Sequence, residues 1–332
     1  MAAITESFNY TWDGQITNDV LIKPVVTSAD FMGVFQVKTG IKNKWQITLG
    51  AIMTNVIKQA TGCDDRTASG TGALTNRTLT LDEMELFVAA CKEEFEDNFT
   101  EAWLKDGNDI SDLSGTDAEK LIVSLLEPAV KADLSRLFYF GNNASGNANL
   151  NGMTGMWTRL LAGVQDSYCV KRVDNIATLN QTANTRSVDY FENLFTGANI
   201  ILKQLPTAEK KFFVTGNIWE NYLKYLETAD QTANGVKLVV DGQLKLSYRG
   251  IEVVPMWSWD SDIAGYSLGS PSRILYTTPQ NHWIGVSQAA DQGQLNAWYE
   301  RKDRKYYFEN QFKIGYQYAH CDLQAVSYGA AS

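Results

Sequence analysis

One short stretch of the chain has the spacing of a known catalytic motif. Residues 265–269 read Gly-Tyr-Ser-Leu-Gly, which is the Gly-x-Ser-x-Gly pattern of a nucleophile elbow. His320 with Asp303 or Asp322 could complete a triad, and the chemistry would be hydrolysis by an activated serine hydroxyl. That chemistry needs a strand before the serine and a helix after it. A polar Ser/Asp stretch precedes the motif and a Ser-Pro pair follows it, so we predict a Gly/Ser turn. A serine hydrolase using Ser267 is the weaker alternative.

Metal and cofactor chemistry finds little support in the sequence. The chain has two His, at positions 282 and 320, and neither belongs to a His-Glu-x-x-His motif. The four Cys are far apart and form no Cys-x-x-Cys pair: Cys63, Cys91, Cys169 and Cys321. Their spacing argues against a zinc ribbon and gives no disulfide framework, so reduced thiols in a cytosolic setting are expected. We predict neither a metal site nor a bound cofactor.

The overall charge excludes further classes of function. The 332 residues carry a formal net charge of -9, and 44% hydrophobic with 20% charged residues is typical of a folded protein. A basic surface over the whole chain that would grip phosphates is therefore absent, and the only dense basic block is residues 301–305. The N-terminus has no signal-peptide pattern, and no run approaches the ~18–20 apolar residues of a membrane helix. No membrane association is expected.

The elements that would position a site differ along the chain. Residues 1–33 show no helical periodicity and predict a long arm that needs a partner surface. Residues 34–47 and 78–81 predict strands, and a run of small residues at 61–72 between them predicts an exposed loop. Taken together, residues 34–91 predict an extension with a poor core of its own.

Residues 116–140 give the clearest helix signal. Thr116 and Glu119 form a capping box, apolar side chains follow at helical spacing, and Gly141 ends the pattern. At 1.5 Å per residue this helix would be roughly 35 Å long. Pro128 removes one backbone hydrogen bond near its middle and should bend it.

The remainder of the chain mixes helix and strand signals. Ser187 is predicted to cap a helix that runs to Leu205, and Asp-Gly predicts the turn of a hairpin at 236–246. The stretch from Gly250 to Tyr328 is rich in aromatic residues and predicts one strand after another. Short strands are predicted at 211–215, 251–255, 273–277 and 282–286. This mixture predicts an α+β fold.

The order of these elements resembles the major capsid proteins of tailed bacteriophages, which share the Hong Kong 97-like capsid fold. The stretches that carry the likeness are 129–138 with Gly141 and 151–155, then 191–205, 211–217 and 219–226, and finally 250–256, 273–276 and 306–328. In that order they resemble the spine helix and its following loop, the helix–strand–helix of the axial domain, and the final strands.

The resemblance implies an α+β subunit in five parts. They are an N-terminal arm at 1–33, an extended loop at 34–91, a peripheral domain at 92–177 with a spine helix at 116–140, an axial domain at 178–298, and a return to the peripheral domain at 299–332. Family members with a fused scaffolding segment carry a long extension ahead of the arm, and none precedes it here. A separate scaffolding protein is therefore expected. No lysine is marked for cross-linking, and none is predicted.

The function that the resemblance implies is structural. The subunit would self-assemble through hexamers and pentamers into the icosahedral capsid around the double-stranded DNA of a tailed phage, in the virion, after assembly in the host cytoplasm. Expected partners are further copies of itself, a portal and the scaffolding protein, with cement or decoration proteins as an option and no sequence-specific DNA contact. An encapsulin-type compartment is the alternative. The predicted assembly contacts are Lys42, Lys44, Trp45, Asp65, Arg66, Arg301, Lys302, Asp303 and Arg304.

Overall fold

The structure, a computed structural model, describes residues 10–11, 34–50, 74–91, 117–165, 170–173, 176, 179, 186–228, 235–240, 243–287, 296–300, 302–303 and 305–329. The strands in chain order are β1 (Tyr10–Thr11), β2 (Gln36–Lys38), β3 (Lys44–Gly50), β4 (Leu74–Thr80), β5 (Asp82–Cys91), β6 (Lys171–Arg172), β7 (Lys211–Val214), β8 (Gly235–Val240), β9 (Gln243–Tyr248), β10 (Ile251–Pro255), β11 (Arg273–Thr277), β12 (His282–Val286), β13 (Asn296–Glu300), β14 (Lys305–Tyr318) and β15 (Gln324–Tyr328). The helices are α1 (Asp117–Phe140), α2 (Met156–Gln165), α3 (Ser187–Gly197), α4 (Ile200–Gln204), α5 (Gly216–Thr228) and α6 (Trp257–Gly265).

Three sheets organise the described residues. A six-stranded sheet runs in the order β1-β13-β14-β12-β2, with β5 paired to β14 as well. A seven-stranded sheet runs in the order β6-β15-β11-β7-β10-β9-β8. The third sheet is the two-stranded hairpin β3–β4. The α+β fold class is therefore confirmed.

The first core lies between α1 and the six-stranded sheet. Leu134 and Phe138, one helical turn apart, are buried in one cluster with Phe312, Ile314 and Tyr316, which alternate along β14. Positions i and i+4 of a helix share a face, and positions i and i+2 of a strand share a face, so each element presents its apolar side to the other. The six-stranded sheet is thus covered on one face by the long helix.

Aromatic rings extend this core to the neighbouring elements. Phe35, just before β2, lies 5.5 Å from the ring of Tyr139 and 5.6 Å from that of Tyr316, measured between ring centroids. Trp259 of α6 meets Trp157 of α2 edge-on, with centroids 5.4 Å apart. Edge-to-face pairs of this kind are favoured by the ring quadrupole. The core therefore joins α1, α2, α6 and the residues just before β2.

A second core lies over the seven-stranded sheet. Phe191 of α3 packs edge-on against Tyr222 of α5, with ring centroids 5.0 Å apart. Phe212 of β7 stacks on Tyr276 of the adjacent β11 at 4.4 Å. All four side chains are buried, so this sheet has a core of its own.

Most of the predicted elements are confirmed. The long helix begins at Asp117, contains Pro128 and ends at Phe140. The strands predicted at 251–255, 273–277 and 282–286 are β10, β11 and β12. In the predicted hairpin, Val240 pairs with Gln243, as a two-residue turn requires.

The prediction of one helix from Ser187 to Leu205 is wrong, because the structure has two helices in this range, α3 and α4. The backbone leaves the helical region at Ala198, where ψ is 156°, and α4 then begins after Asn199, whose side chain caps it. Ser187 is also the first helical residue rather than the cap, because the extended backbone of Arg186 occupies the cap position. The Ser187 N–H and hydroxyl both donate to Asn221 Oδ1. An apolar stripe runs across the break, so the sequence pattern alone does not reveal it.

The strand pairing crosses the predicted domain boundaries, and the five-part division stays a prediction. Residues 34–91 were expected to have a poor core, yet Val34 and Phe35 are buried in the first core and β5 pairs with β14 along its full length. Near the C-terminus, β15 pairs with β11 in the seven-stranded sheet, while β12 belongs to the six-stranded one. Tyr10 and Thr11 pair with β13. The loop predicted at 61–72 lies outside the described residues.

A half-buried carboxylate lies where α6 meets α1. Burial raises the pKa of Asp262 to about 6, and the charge of Arg136 opposes that rise. Arg136 is already engaged, because it donates to the Asn149 carbonyl at 3.1 Å, pairs with Asp133 at 2.8 Å and lies over the ring of Tyr266. The charged form of Asp262 is therefore poorly compensated in the folded chain.

Substituting Phe138 tests the first core. Phe138→Ala should lower the free energy of unfolding by about 3–5 kcal/mol, because it opens a cavity beneath α1. The matched control is Phe87→Ala, since Phe87 is 54% exposed, and it should cost less than about 1 kcal/mol. Urea unfolding followed by tryptophan fluorescence measures both. Equal losses would contradict the assignment of this core.

Substituting Asp262 tests the α6–α1 contact. The pKa of Asp262 is higher in the folded chain, about 6, than its ordinary 3.8, so the folded state gains stability as the pH falls through that window. Asp262→Asn should therefore be more stable than the wild type at pH 7, and this advantage should vanish near pH 4. Melting temperatures at both pH values measure it, with the exposed Asp303→Asn as control. An advantage that does not change with pH would refute the burial of this charge.

Candidate assembly surfaces

Ser267 lies in a structural turn. The order of elements is the reverse of a nucleophile elbow, because α6 precedes Ser267 and β11 follows. The buried guanidinium of Arg273 donates to the carbonyls of Leu268, Gly269 and Ser270 at 3.0–3.2 Å. Burial lowers the pKa of Arg273 to about 10, so it stays charged and holds the turn at neutral pH. The Gly/Ser turn predicted from the sequence is thus explained by one arginine.

The other members of the supposed triad have different partners. His320 is exposed and lies after β14 rather than inside a strand, and its backbone bonds the side chain of Asn281. Asp322 accepts from Asn199 at 2.7 Å, and Asp303 accepts from the Tyr307 hydroxyl at 3.2 Å. Among the described residues, no hydrogen bond joins Ser267 to His320, Asp322 or Asp303. The residues of a hydrolase site are not brought together.

The second histidine is part of the core. His282 is fully buried, with Nε2 at 3.0 Å from the Thr277 hydroxyl and Nδ1 at 2.7 Å from the Tyr316 hydroxyl. Burial lowers its pKa to about 3, so it is neutral at physiological pH. Within the described ranges no cluster of three His, Cys, Asp or Glu side chains could hold a metal ion.

One cysteine departs from the expectation of reduced thiols. Cys321 is disulfide-bonded, and its partner is not among the side chains that the structure describes. The expectation rested on spacing along the sequence, which does not report which thiols meet in space.

The hairpin β3–β4 is the most distinctive surface element. Its seven-residue strands pair from Lys44–Thr80 at one end, here called the root, to Gly50–Leu74 at the other. The Leu81 N–H donates to the Asn43 carbonyl and extends the hairpin ladder by one pair, and the Ile41 N–H donates to the Val286 carbonyl of β12 and ties the root to the body. An isolated two-stranded hairpin is at best marginally stable in water, so its far end needs further support.

Side chains at the root fix the hairpin to the six-stranded sheet. Leu79 is fully buried, and Trp45 meets Trp283 of β12 edge-on at 5.2 Å. The guanidinium of Arg77 lies 4.4 Å from the ring centroid of Tyr318, near the end of β14. The direction in which the hairpin leaves the body is therefore set by packing and not by a free hinge.

Three of the predicted contact residues lie together at the hairpin root. Lys42 and Lys44 are exposed and precede the partly buried Trp45 in sequence, and Lys38 lies 5.8 Å from the centroid of the Trp45 ring. The root is thus a basic surface around an indole. Asp65 and Arg66, also predicted, lie outside the described residues.

Two further predicted residues lie at the opposite end of β14. Lys302 and Asp303 are exposed in the turn between β13 and β14, and the Lys302 N–H donates to Glu300 Oε1 at 3.3 Å. Arg301 and Arg304 lie outside the described residues. The root residue Thr80 lies against Gly315, ten residues along β14 from Lys305, so at ~3.3 Å per residue roughly 35 Å of strand separates this turn from the hairpin root. The predicted contacts therefore form two surfaces and not one.

The sequence did not predict an aromatic surface that lies near that turn. Tyr307 of β14 stacks on Trp298 of β13 and on Phe87 of β5, with ring centroids 5.5 Å apart in both pairs. The strand that carries Phe87 was not predicted, although its apolar residues Met84, Leu86 and Val88 alternate as a half-buried strand requires. That alternation was the available signal.

A groove of about 330 Å³ runs between β5 and α1. Its floor is apolar and includes Met84, Leu134 and Phe312, while Glu83 and Glu85 are exposed along its rim. Among the described strands β5 pairs only with β14, and none of them pairs with its other edge. Open edges offer unpaired backbone groups to an added strand.

Comparison with known proteins identifies the fold. A chain of the satellite phage P4 procapsid, whose structure includes the size determination (Sid) protein, matches with a TM-score of 0.56 at 9% identity, over 94% of this chain and 98% of that one. The capsid of the native GTA particle matches with a TM-score of 0.54 at 12% identity, over 91% and 90%. The chain has the Hong Kong 97-like capsid fold. A Mycobacterium phage Ogopogo chain matches with a TM-score of 0.56 at 9% identity, over 91% and 92%.

Sequence comparison adds no relative to these structural matches. No family model and no curated protein matches the chain. Among the described helices of this capsid fold, none is long and apolar enough to span a membrane.

Covalent labelling tests the assignment of Ser267. A fluorophosphonate probe should leave the protein unlabelled, because no base is bonded to the Ser267 hydroxyl in the described contacts. Mass spectrometry of the treated protein measures the adduct, and a known serine hydrolase serves as the positive control. An adduct that disappears in Ser267→Ala would restore the hydrolase alternative.

Proposed function

We propose that this chain is the structural subunit of an icosahedral capsid that encloses the double-stranded DNA of a tailed phage. The observation that carries the proposal is the likeness to procapsid and capsid chains over nine-tenths of the chain. The hairpin β3–β4, which is fixed to its own subunit at the root, is the element proposed to contact a neighbour. A second copy supplies the surface that its far end needs. The named matches come from phage and GTA particles, which favours this reading over an encapsulin-type compartment.

The groove beside β5 is the proposed receiving surface on the neighbouring copy. Its open strand edge can add an extended segment by backbone hydrogen bonds, as in β-augmentation. Glu83 and Glu85 on the rim are opposite in charge to Lys42 and Lys44 at the hairpin root. Complementary charges of this kind favour one relative orientation of the two copies.

The turn at Lys302 and Asp303 is the proposed contact at the other end of the subunit. Its mixed charges suit ion pairs between copies, and the adjacent aromatic surface of Phe87, Trp298 and Tyr307 offers apolar area. Contacts at both ends of β14 let each copy touch more than one neighbour, as hexamers and pentamers in a closed shell require. The arm at 1–33 is proposed to lie over an adjacent subunit.

The chain's charge suits a container. With a net charge of -9, the subunit has no sequence-wide basic surface to hold DNA phosphates, so the enclosed genome is not clamped. The role is structural and not enzymatic, and it needs no cofactor. Further proposed partners are a portal and a separate scaffolding protein, with decoration proteins as an option, during assembly in the host cytoplasm.

Removing the outer hairpin tests this function. Joining Ile47 to Arg77 through Asn-Gly deletes residues 48–76 but keeps the root contacts of Trp45 and Leu79. Electron microscopy of the purified wild type should show hexamers, pentamers or shells. The shortened chain should melt within about 3 °C of the wild type yet remain a single subunit.

A charge substitution gives a finer version of the same test. Glu85→Lys on the groove rim should raise the protein concentration needed for assembly severalfold, while the matched control Glu209→Lys, exposed in the other half of the molecule, should not. A wild type that stays monomeric, or a shortened chain that still closes into shells, would overturn the proposal.

A further inference from the structure

Two glycines face each other where the hairpin crosses the six-stranded sheet. Gly285 of β12 and Gly315 of β14 are direct cross-strand partners. Partners in an antiparallel pair project to the same face of a sheet. Together they leave a strip of that face without side chains, which we call the glycine notch.

At Gly285 the notch is filled by side chains from the hairpin root. A Cβ there would lie 2.4 Å from Leu79 Cδ2, 2.8 Å from Ile41 Cδ1 and 3.0 Å from Leu81 Cδ2. Leu79 is fully buried, with 0% exposure, and Ile41 is 5% exposed. A methyl group at Gly285 would therefore force these side-chain ends to shift, although no backbone atom stands in its way.

At Gly315 the notch is filled by backbone. A Cβ there would lie 2.1 Å from the Thr80 carbonyl oxygen, 3.0 Å from its carbonyl carbon and 3.2 Å from Leu81 Cα. No change of rotamer relieves a clash with main-chain atoms. Strand β4 would have to retreat by roughly 1 Å or more to restore an ordinary contact.

The notch therefore controls how closely the hairpin approaches the sheet. Glycine weakens a strand interior, and it is found where another backbone must come close. The root is fixed a few residues away by Trp45 against Trp283 and by Arg77 against Tyr318. A displacement at Thr80 with these contacts kept would tilt the hairpin, and seven residues of strand at ~3.3 Å each would enlarge the shift at its far end.

We propose that Gly285 and Gly315 are positioning residues for shell assembly: they set the angle of the hairpin, and thereby where it meets the next copy of this chain. The proposal rests on the function proposed above. It predicts that a methyl group in the notch changes the particles formed, while the subunit keeps its fold.

Alanine substitutions test the notch. Gly315→Ala should fold, as judged by near-ultraviolet circular dichroism, but should give a roughly fivefold to tenfold loss of closed particles of wild-type diameter, in line with the cost of overpacking. Gly285→Ala should have a smaller effect, because its clashes are with side-chain ends. Leu79→Ala removes the side chain that a methyl group at Gly285 would meet, so the double variant Gly285→Ala/Leu79→Ala should form more wild-type particles than Leu79→Ala alone. Adding Leu79→Ala to Gly315→Ala should bring no such gain, because the clash at Gly315 is with backbone.

Two controls separate this proposal from general loss of stability and from failure of assembly. Gly146→Ala and Gly265→Ala place a methyl group where no heavy atom lies within 4 Å, and both should assemble as the wild type does. Crystal structures of the variant subunits report the hairpin angle whether or not shells form. An unchanged angle in Gly315→Ala, or unchanged particles despite a changed angle, would overturn the proposal. If Gly315→Ala fails to fold, Gly285→Ala with and without Leu79→Ala decides by the same criteria.

Discussion

The packing of α1 across the long strand β14 is the constraint on which the remaining structure depends. Phe312, Ile314 and Tyr316 are buried in the same cluster as Leu134 and Phe138. Apolar side chains on one face of a strand must be covered, and a helix with a matching stripe covers them. Once β14 is fixed beneath α1, the strands β5, β12 and β13 follow by backbone pairing along its two edges.

This arrangement makes β14 a rigid connection between distant surfaces. The hairpin root lies against one of its ends, and the turn at Lys302 and Asp303 precedes the other. A subunit in a shell must hold its contacts at fixed separations, since each interface repeats in every copy. A strand buried on one side by a helix and paired along both edges keeps that separation better than a loop would. The second core, around Phe191 and Phe212, covers one face of the seven-stranded sheet, while Phe213 and Leu275 of the same sheet join the first core.

Local signals in the sequence were sufficient for single elements. The long helix, the Asp-Gly hairpin and strands β10, β11 and β12 all follow from capping, turn and apolar patterns. The pairing of β5 with β14 could not be predicted, because it joins residues more than two hundred positions apart and no local pattern records it. For the same reason the disulfide at Cys321 and the close approach of Thr80 to Gly315 were not foreseen. The break at Ala198 was missed because the apolar stripe runs across it.

The assembly surfaces show the same limit. Sequence reasoning placed basic residues at the hairpin root, and Lys42 and Lys44 are exposed there. It did not reveal that the groove beside β5 exists, since its walls come from two segments that meet only in the fold. Function was therefore suggested by the order of elements, whereas the surfaces that would carry it required the structure.

An electron cryomicroscopy reconstruction of the assembled particle tests the central claim most directly, because it shows where strands β3 and β4 of each copy lie. Our account predicts a closed shell in which these strands contact the groove between β5 and α1 of the adjacent copy. A shell in which the hairpin contacts no neighbour, or a purified protein that forms no ordered assembly at any concentration, would contradict it.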